Sequence, residues 1–306
     1  MSIPKKIKAL IVNKEKRIIL LARLGLLNHL SDVEFVKKQY LNVFDKELNL
    51  DNPITFNEKL QWLKVNDHRP EYSLMVDKFA VKDLVAKKIG RKYIIKTIGV
   101  WNSFEEIDFS VLPDRFVLKC THDSGGVVVC SDKEHFDAKK AKKKLNRSLR
   151  TDYCMLNREW PYKNVPRRII AEEYLSSETA EDLVDYKFFC FGGKVKCFKC
   201  DIDRSRNHQT YYFDRNQKYM GFGELNYPPR DRVPFELPKT ISQMMDLAEV
   251  LSEGIPFCRV DFYDVDGKIF FGEITFFPAS GFGKFTDEKW DNKMGSWIQL
   301  PKDDEL

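Results

Sequence analysis

Two stretches of the chain combine charge, small residues and strand-like alternation in a way that suits phosphate chemistry. In FVLKCTHDSGGVVVC, residues 116–130, a β-patterned run ends in Lys119, and Thr121, Ser124, Gly125 and Gly126 follow before a second β-branched run. Adjacent glycines let backbone N–H groups approach an anion closely, hydroxyls add donors, and a lysine adds fixed positive charge. No G-K-[ST] opens a helix here and the G-x-G-x-x-G spacing is missing, so this is neither a Walker loop nor a dinucleotide fingerprint. A plain hairpin with a Gly-Gly turn accounts for the same residues.

The second stretch is RVDFYDVDGKIFFGEITFFPASGFGKF, residues 259–285. Alternation puts Arg259, Asp261 and Tyr263 on one face of a strand, and Phe271, Glu273 and Thr275 on one face of the next, with a turn at Asp266 and Gly267. Two carboxylates facing each other across a hairpin repel unless something positive sits between them. Mg²⁺ suits that place, since one or two carboxylates plus nucleotide phosphates and water hold it. Register decides the matter. A three-residue loop with a glycine bulge sets Asp261 and Glu273 on the same face, whereas a two-residue Asp-Gly turn sets them on opposite faces as unrelated surface acids. The apolar neighbours of Glu273 (Phe270, Phe271, Ile274, Phe276 and Phe277) make an unpaired acid costly there.

These stretches need elements to position them. From Ser31 to about Ile89 the pattern is helical, with capping boxes at Ser31/Glu34 and Thr55/Glu58, and a third helix over Met75–Ile89 ended by Gly90 in a left-handed cap. After Gly90, short apolar runs alternate with turns: KYIIKTIGV, DRFVLKC, GVVVC, RRIIAEEYL, VDYKFFCF, KVKCFKCDI and QTYYFD. A helix over Ile241–Leu251 precedes the last hairpin. Hairpins with intervening helices indicate an α+β fold, not a doubly wound parallel sheet.

Composition sets the outer bounds. The chain has 306 residues, 43% of them hydrophobic, enough to bury sizeable cores. With 32% charged residues, no apolar run approaches the roughly 18 residues of a membrane span, and the N-terminus lacks a small-residue cleavage site, so the expected location is cytoplasmic. From Pro4 to Leu27, lysines and arginines mix with aliphatics, as in a helix lying peripherally on an anionic membrane face or on a partner, or packing on the chain's own body. A net charge of +5 is too small to argue for nucleic acid, and DAKKAKKKLNRSLR, residues 137–150, reads as a helix with a solvated basic face. The seven cysteines are scattered through apolar runs as reduced, buried thiols. Cys197 and Cys200, three apart on a strand, point to opposite faces and do not make a metal site.

Taken together, DKFAVKDLVAKKIG, FVLKCTHDSGGVVV, RIIAEEYL, VDYKFFCFGGKV, CRVDFYDVDG and FFGEITFFPASGFGKF resemble in order and spacing the ATP-grasp enzymes, and among them the branch associated with teichuronic acid and other surface polysaccharides. The resemblance implies two α+β subdomains clasping ATP behind a mostly helical N-terminal region. Boundaries would be 1–90 for the helical region, 91–180 for the lid subdomain and 181–306 for the subdomain with the metal site. It implies phosphate contacts from Lys119 and Lys78 and from the loop with Thr121, Ser124, Gly125 and Gly126. Adenine contacts would come from Glu172, Glu173, Tyr174 and Leu175, and a ribose contact from Asp185, with Lys187 beside it in the nucleotide site. Asp261 and Glu273 would hold Mg²⁺. Family members typically carry Asn two residues beyond the second carboxylate; Thr275 stands there, a weaker third ligand.

Such enzymes convert a carboxylate into an acyl phosphate that an amine then attacks, here on a small-molecule or saccharide substrate of cell-surface or capsule polysaccharide synthesis. Arg204, Arg206 and Arg259 would hold the acceptor carboxylate or the acyl phosphate, because a guanidinium fork matches both. Ser280, Gly281 and Gly283 form a small-residue loop where substrate can approach closely. Two other readings stand beside this one. Asp201-Ile202-Asp203 and Asp264-Val265-Asp266 are each D-x-D, the pattern by which a metal-dependent glycosyltransferase holds a nucleotide-sugar diphosphate. The basic N-terminus alone would suit a non-catalytic, membrane-docked scaffold.

Overall fold

A computed structural model describes residues 14–177, 183–203 and 206–302, with side chains from residue 17 onward. Short helices come first: α1 (Lys14–Arg23), α2 (Asp32–Phe44), α3 (Phe56–Asn66), α4 (Glu71–Val76) and α5 (Val81–Lys88). Ser31 and Thr55 cap α2 and α3 with complete capping boxes, so both starts are fixed locally as the sequence predicts. The single helix expected over Met75–Ile89 is instead two, α4 and α5. Asp77 takes extended backbone between them, and its carboxylate accepts from the N–H groups of Phe79 and Ala80. Gly90 has a positive φ of 113° with an extended ψ of 149°, so it turns the chain away without making the left-handed cap.

The smaller sheet contains β1 (Thr97–Trp101), β2 (Phe116–Cys120), β3 (Val127–Cys130) and β4 (Ile169–Glu173) in the order β1-β4-β2-β3, every pair antiparallel. Phe116, Leu118, Ile169 and Ala171 face Ala141 and Leu145 of α6 (Ala138–Arg150) in one core. The helix α7 (Tyr153–Asn157) then leads back to β4.

The larger sheet contains β5 (Asp185–Phe191), β6 (Lys194–Ile202), β7 (Gln209–Asp214), β8 (Phe257–Val265) and β9 (Lys268–Thr275) in the antiparallel order β7-β6-β5-β8-β9. Alternate residues Phe188, Phe198, Val260 and Phe262 are fully buried in a core shared with α8 (Ile241–Leu251). Phe56 and Leu60 of α3 join the same core, so the helical region packs into the C-terminal body. A short α9 (Lys289–Gly295) lies against α3, where Asp291 accepts from the Asn57 backbone and side chain. All seven cysteines are buried free thiols. No helix among the described residues is long and apolar enough to cross a membrane.

Candidate active site

The polar residues of the larger sheet share the face opposite Phe188, Phe198, Val260 and Phe262; farther along that same face Phe189, Phe191 and Phe257 pack against Phe56 of α3. Cross-strand register sets Lys199, Lys187, Asp261 and Glu273 in one row over four strands, with Asp201, Asp185 and Tyr263 in the next. The row depends on an irregularity. The turn between β8 and β9 has two residues, Asp266 and Gly267, both at positive φ, and Val265 pairs with Lys268. On the turn alone Asp261 would face Gly272 and Glu273 would point into the core. A bulge between Asp261/Phe262 lets Gly272 bow out, so Asp261 pairs with Glu273 while Phe271, buried against Phe262, leaves the face expected for it. A Cβ on Gly272 would lie 3.1 Å from the Asp261 carbonyl oxygen and 3.3 Å from Tyr263 Cε2.

The positive group between the facing carboxylates is Arg259. Its Nε is 2.6 Å from Asp261 Oδ1, and its Nη2 is 2.7 Å from Asp261 Oδ2, 3.1 Å from Glu273 Oε1 and 3.1 Å from Thr275 Oγ1. From the other flank Lys187 donates to Asp261 at 2.7 Å and pairs with Asp185 at 3.2 Å and Asp201 at 3.6 Å. Burial by itself would raise the Asp261 pKa, but Arg259 and Lys187 overcome it and hold the carboxyl below the usual carboxylate range. Burial likewise works to discharge Lys187, and Asp185 and Asp261 keep it charged, well above an ordinary lysine.

The facing wall comes from the smaller sheet. Val117 pairs with Glu172, and Lys119, two residues on along the same face, reaches diagonally to put Nζ 2.6 Å from Glu172 Oε2. Lys82 of α5 meets the other oxygen at 2.5 Å and donates also to the Ile95 carbonyl and the Thr97 hydroxyl. Burial opposes ionisation of Glu172, yet Lys119 and Lys82 hold its pKa down. Lys82 is thus fully engaged, whereas Lys119 has protons left for a ligand.

Between the walls lies a cleft of about 400 Å³ lined by Lys78, Lys82, Lys119, Ser124, Gly125, Glu172, Asp185, Lys187, Asp261 and Glu273, with Ile94, Ile95 and Tyr263 as apolar surface. Nine of the residues read from the sequence meet there: all of those polar and glycine positions except Lys82. Lys82 was missed although DKFAVK spaces it four residues from Lys78, the separation that brings two side chains to one helix face.

Other expected residues serve elsewhere. Thr121 is fully buried and donates to the Pro166 carbonyl at 2.6 Å, so its hydroxyl is not a phosphate donor. A Cβ on Gly126 would fall 2.3 Å from Ser148 Oγ, so that glycine answers to packing beneath the loop. Of the four residues expected at adenine only Glu172 lines the cleft, held there by Lys82 and Lys119; Glu173 is exposed, Tyr174 carries Arg115 over its ring at 5.0 Å, and Glu173, Tyr174 and Leu175 do not line the cleft. Arg259 is only 8% exposed and committed to the carboxylates. Arg206 sits exposed in the turn after β6, and Arg204 lies outside the described residues.

Ser280, Gly281 and Gly283 belong to a loop fastened to α3, away from the cleft lining. Gln61 donates to the carbonyls of Ser280 and Gly281, Asn57 to that of Gly283, and the buried Lys64 to that of Ser280 at 2.7 Å. The Ser280 hydroxyl donates to the buried Glu159 at 2.5 Å. Ala279, Ser280 and Gly281 all take positive φ (48°, 56° and 69°), a strained run that this clamp enforces.

Neither D-x-D offers a common site. Asp201 is buried against Lys187 and Lys199 while Asp203 is exposed at positive φ. Asp264 accepts from Thr240 and from the Gly267 N–H, and Asp266 sits in the turn and accepts from Ser177.

Residues 58–299 match the family described as TupA-like ATPgrasp. The chain belongs to this TupA-like ATP-grasp family. Among solved structures it is similar to the D-alanine–D-alanine ligase of Bacillus anthracis (17% identity, 66% of this chain and 57% of that one, TM-score 0.38). It is also similar to biotin carboxylase from Campylobacter jejuni (13%, 76% and 48%, 0.40) and to phosphoribosylamine–glycine ligase from Thermotoga maritima (16%, 67% and 48%, 0.40). The chain thus spans a little over half the length of the first of these. No curated protein matches it in sequence.

A metal in this cleft would find few donors. Among the described residues no group of three or more His, Cys, Asp or Glu side chains could hold one. Asp261 keeps one lone-pair site, on Oδ1, beyond those used by Arg259 and Lys187, and Glu273, 38% exposed, has its second oxygen without a donor among the described residues. Two carboxylates of this kind fit a Mg²⁺ that arrives with nucleotide phosphates and water, not one bound in advance.

Proposed function

We propose that this member of the TupA-like ATP-grasp family is an ATP- and Mg²⁺-dependent carboxylate–amine ligase working through an acyl phosphate, in cell-surface polysaccharide synthesis, with a uronic acid as the carboxylate. The observation that carries the chemistry is the pair of facing walls: Lys119 with Glu172 on one side, and Lys187, Asp261 and Glu273 bridged by Arg259 on the other. The polysaccharide setting and the uronic acid rest on family membership alone.

Each residue then has a task. Ile94, Ile95 and Tyr263 would supply apolar surface for a base, and Asp185, in the same lining, would accept from a ribose hydroxyl. Lys119 and Lys78 meet the phosphates with fixed positive charge, and the Ser124–Gly125 segment covers them and excludes water. Asp261 and Glu273 would hold Mg²⁺, which when bound offsets charge on the phosphoryl being transferred. Arg259, held rigid by Asp261, keeps Glu273 turned toward the cleft; Lys187 keeps Asp261 ionised. The carboxylate attacks the γ-phosphorus and ADP leaves; the amine then displaces phosphate from the acyl carbon, giving an amide and inorganic phosphate.

Hydroxylamine, an amine that needs no binding site, tests this. With Mg·ATP and glucuronate the protein should release ADP and form a hydroxamate, and Glu273→Gln should lose both while keeping its melting temperature. ADP without hydroxamate across a panel of sugar acids, or full activity in Glu273→Gln, would overturn the reading.

A further inference from the structure

Beside the nucleotide cleft runs a second depression that the mechanism above leaves unused. One part, about 230 Å³, is lined by Ser124, Gly125, Lys144, Arg147 and Tyr153, and it adjoins a second part of about 420 Å³ that adds Arg150. Arg23 of α1 borders both parts from the opposite bank. Ser124, Gly125 and Lys144 line the nucleotide cleft as well, so the phosphate-covering loop is a shared wall between the cleft and this groove.

Charge sets the groove apart. Lys144 and Arg147 are three residues apart on α6 and therefore share a helix face, with Arg150 three further on. Among the described residues, Arg23, Arg147 and Arg150 have no carboxylate within salt-bridge distance, in a chain with 46 acidic residues. The two acids in the lining are occupied: Asp123 by Ser148 and the Gly126 N–H, Asp152 by capping α7 and pairing with Arg167. A purely solvated basic face would line no cavity; here Arg23 of α1 and Arg147 and Arg150 of α6 line one depression from two different helices, with the phosphate loop at its edge.

We propose that this groove seats a second anionic group of the substrate, so that the preferred substrate is at least a dianion: one carboxylate enters the cleft to be activated, and a trailing carboxylate or phosphate lies between Arg23 and the Arg147/Arg150 side of α6. The occupant must present a carboxylate to the cleft, which a nucleic acid lacks, and must enter a trough, which a bilayer surface cannot. The guanidinium fork matches carboxylate and phosphate alike. The inference rests on the ligase reading for the carboxylate, while the trailing anion is carried by the groove itself.

The test compares glucuronate, a monoanion, with glucuronate 1-phosphate and trigalacturonate by calorimetry on the full chain with Mg·ADP present. We expect one or both of the larger anions to bind about tenfold or more tightly than glucuronate, as one to two charge-assisted contacts provide. Arg147→Gln/Arg150→Gln should erase that preference without changing Mg·ADP affinity, and raising the salt should shrink it in the unaltered protein. Which anion gains identifies the trailing group. Equal binding of all three by the unaltered protein, or a preference that survives the double substitution, overturns the inference. Failure of the unaltered protein to bind Mg·ADP would instead sink the ligase reading, so the two failures are distinguishable.

Discussion

Replacing Arg259 by Met removes the group that lets two carboxylates face each other and keeps most of its apolar stem. Arg259 is 8% exposed and Asp261 2%, so their bidentate pair at 2.6 and 2.7 Å is a buried one. Removing one partner of such a pair leaves an uncompensated buried charge and costs about 3–5 kcal/mol. The contact with Glu273 adds little to this sum, since that side chain is 38% exposed and solvent screens it. Lys187 still contacts Asp261 at 2.7 Å, which places the expectation near the lower end, about 3 kcal/mol. For a chain of 306 residues that corresponds to a melting temperature lower by roughly 5 °C. Urea unfolding of both proteins, analysed with a common m-value, measures it, and Arg259→Met/Asp261→Asn should regain part of the loss because no charge is then stranded. A loss under about 1 kcal/mol would refute the claim that this guanidinium neutralises the carboxylate row.

Three further outcomes follow from the same geometry. Gly272→Ala should lower stability by about 1–3 kcal/mol and weaken nucleotide binding more than it changes the fold, because the added methyl presses on the Asp261 backbone that sets the bulge; unchanged nucleotide affinity would count against the bulge as the positioning device. Lys82→Met should leave Glu172 paired with Lys119 alone and draw that lysine from the nucleotide, raising the Kd for Mg·ATP about tenfold in calorimetry; a Kd like that of the unaltered protein would show the pair to be independent of binding. The pKa values of Asp261 and Glu172 lie below their ordinary values of 3.8 and 4.5, so their contribution to stability is complete above about pH 4.5 and is lost as acid protonates them below it. Unfolding midpoints followed from pH 6 to pH 3 should therefore fall steeply in the lower half of that range, and less steeply in Asp261→Asn.

Local rules were readable from the sequence and long-range ones were not. The capping boxes at Ser31 and Thr55 need only residues within one turn, and both formed as expected. The hairpin at Asp266–Gly267 was also legible from Asp-Gly between alternating runs, but its loop length was not: two and three residues both stood open, and the structure has two. The outcome at Asp261 and Glu273 depended on Gly272, a glycine inside a strand run, which is the mark of a bulge and was not read as one. Taken with the two-residue turn, it gives the facing pair that the turn alone denies. The break at Asp77 was missed since Met75 to Ile89 keeps a helical apolar period across it. The small sheet's order, with β4 inserted between β1 and β2, left no local trace. The partners of Arg259 and Thr121 came from burial, which alternation in one strand does not supply.

The most direct test of the central claim is calorimetric titration of the protein with Mg·ATP, Mg·UDP and metal-free ATP, repeated on Glu273→Gln. The facing walls predict saturable binding of Mg·ATP, weaker binding of ATP without metal, little response to Mg·UDP, and loss of the metal-dependent gain in Glu273→Gln. Binding of Mg·UDP but not Mg·ATP, or a magnesium effect undiminished in Glu273→Gln, would contradict it.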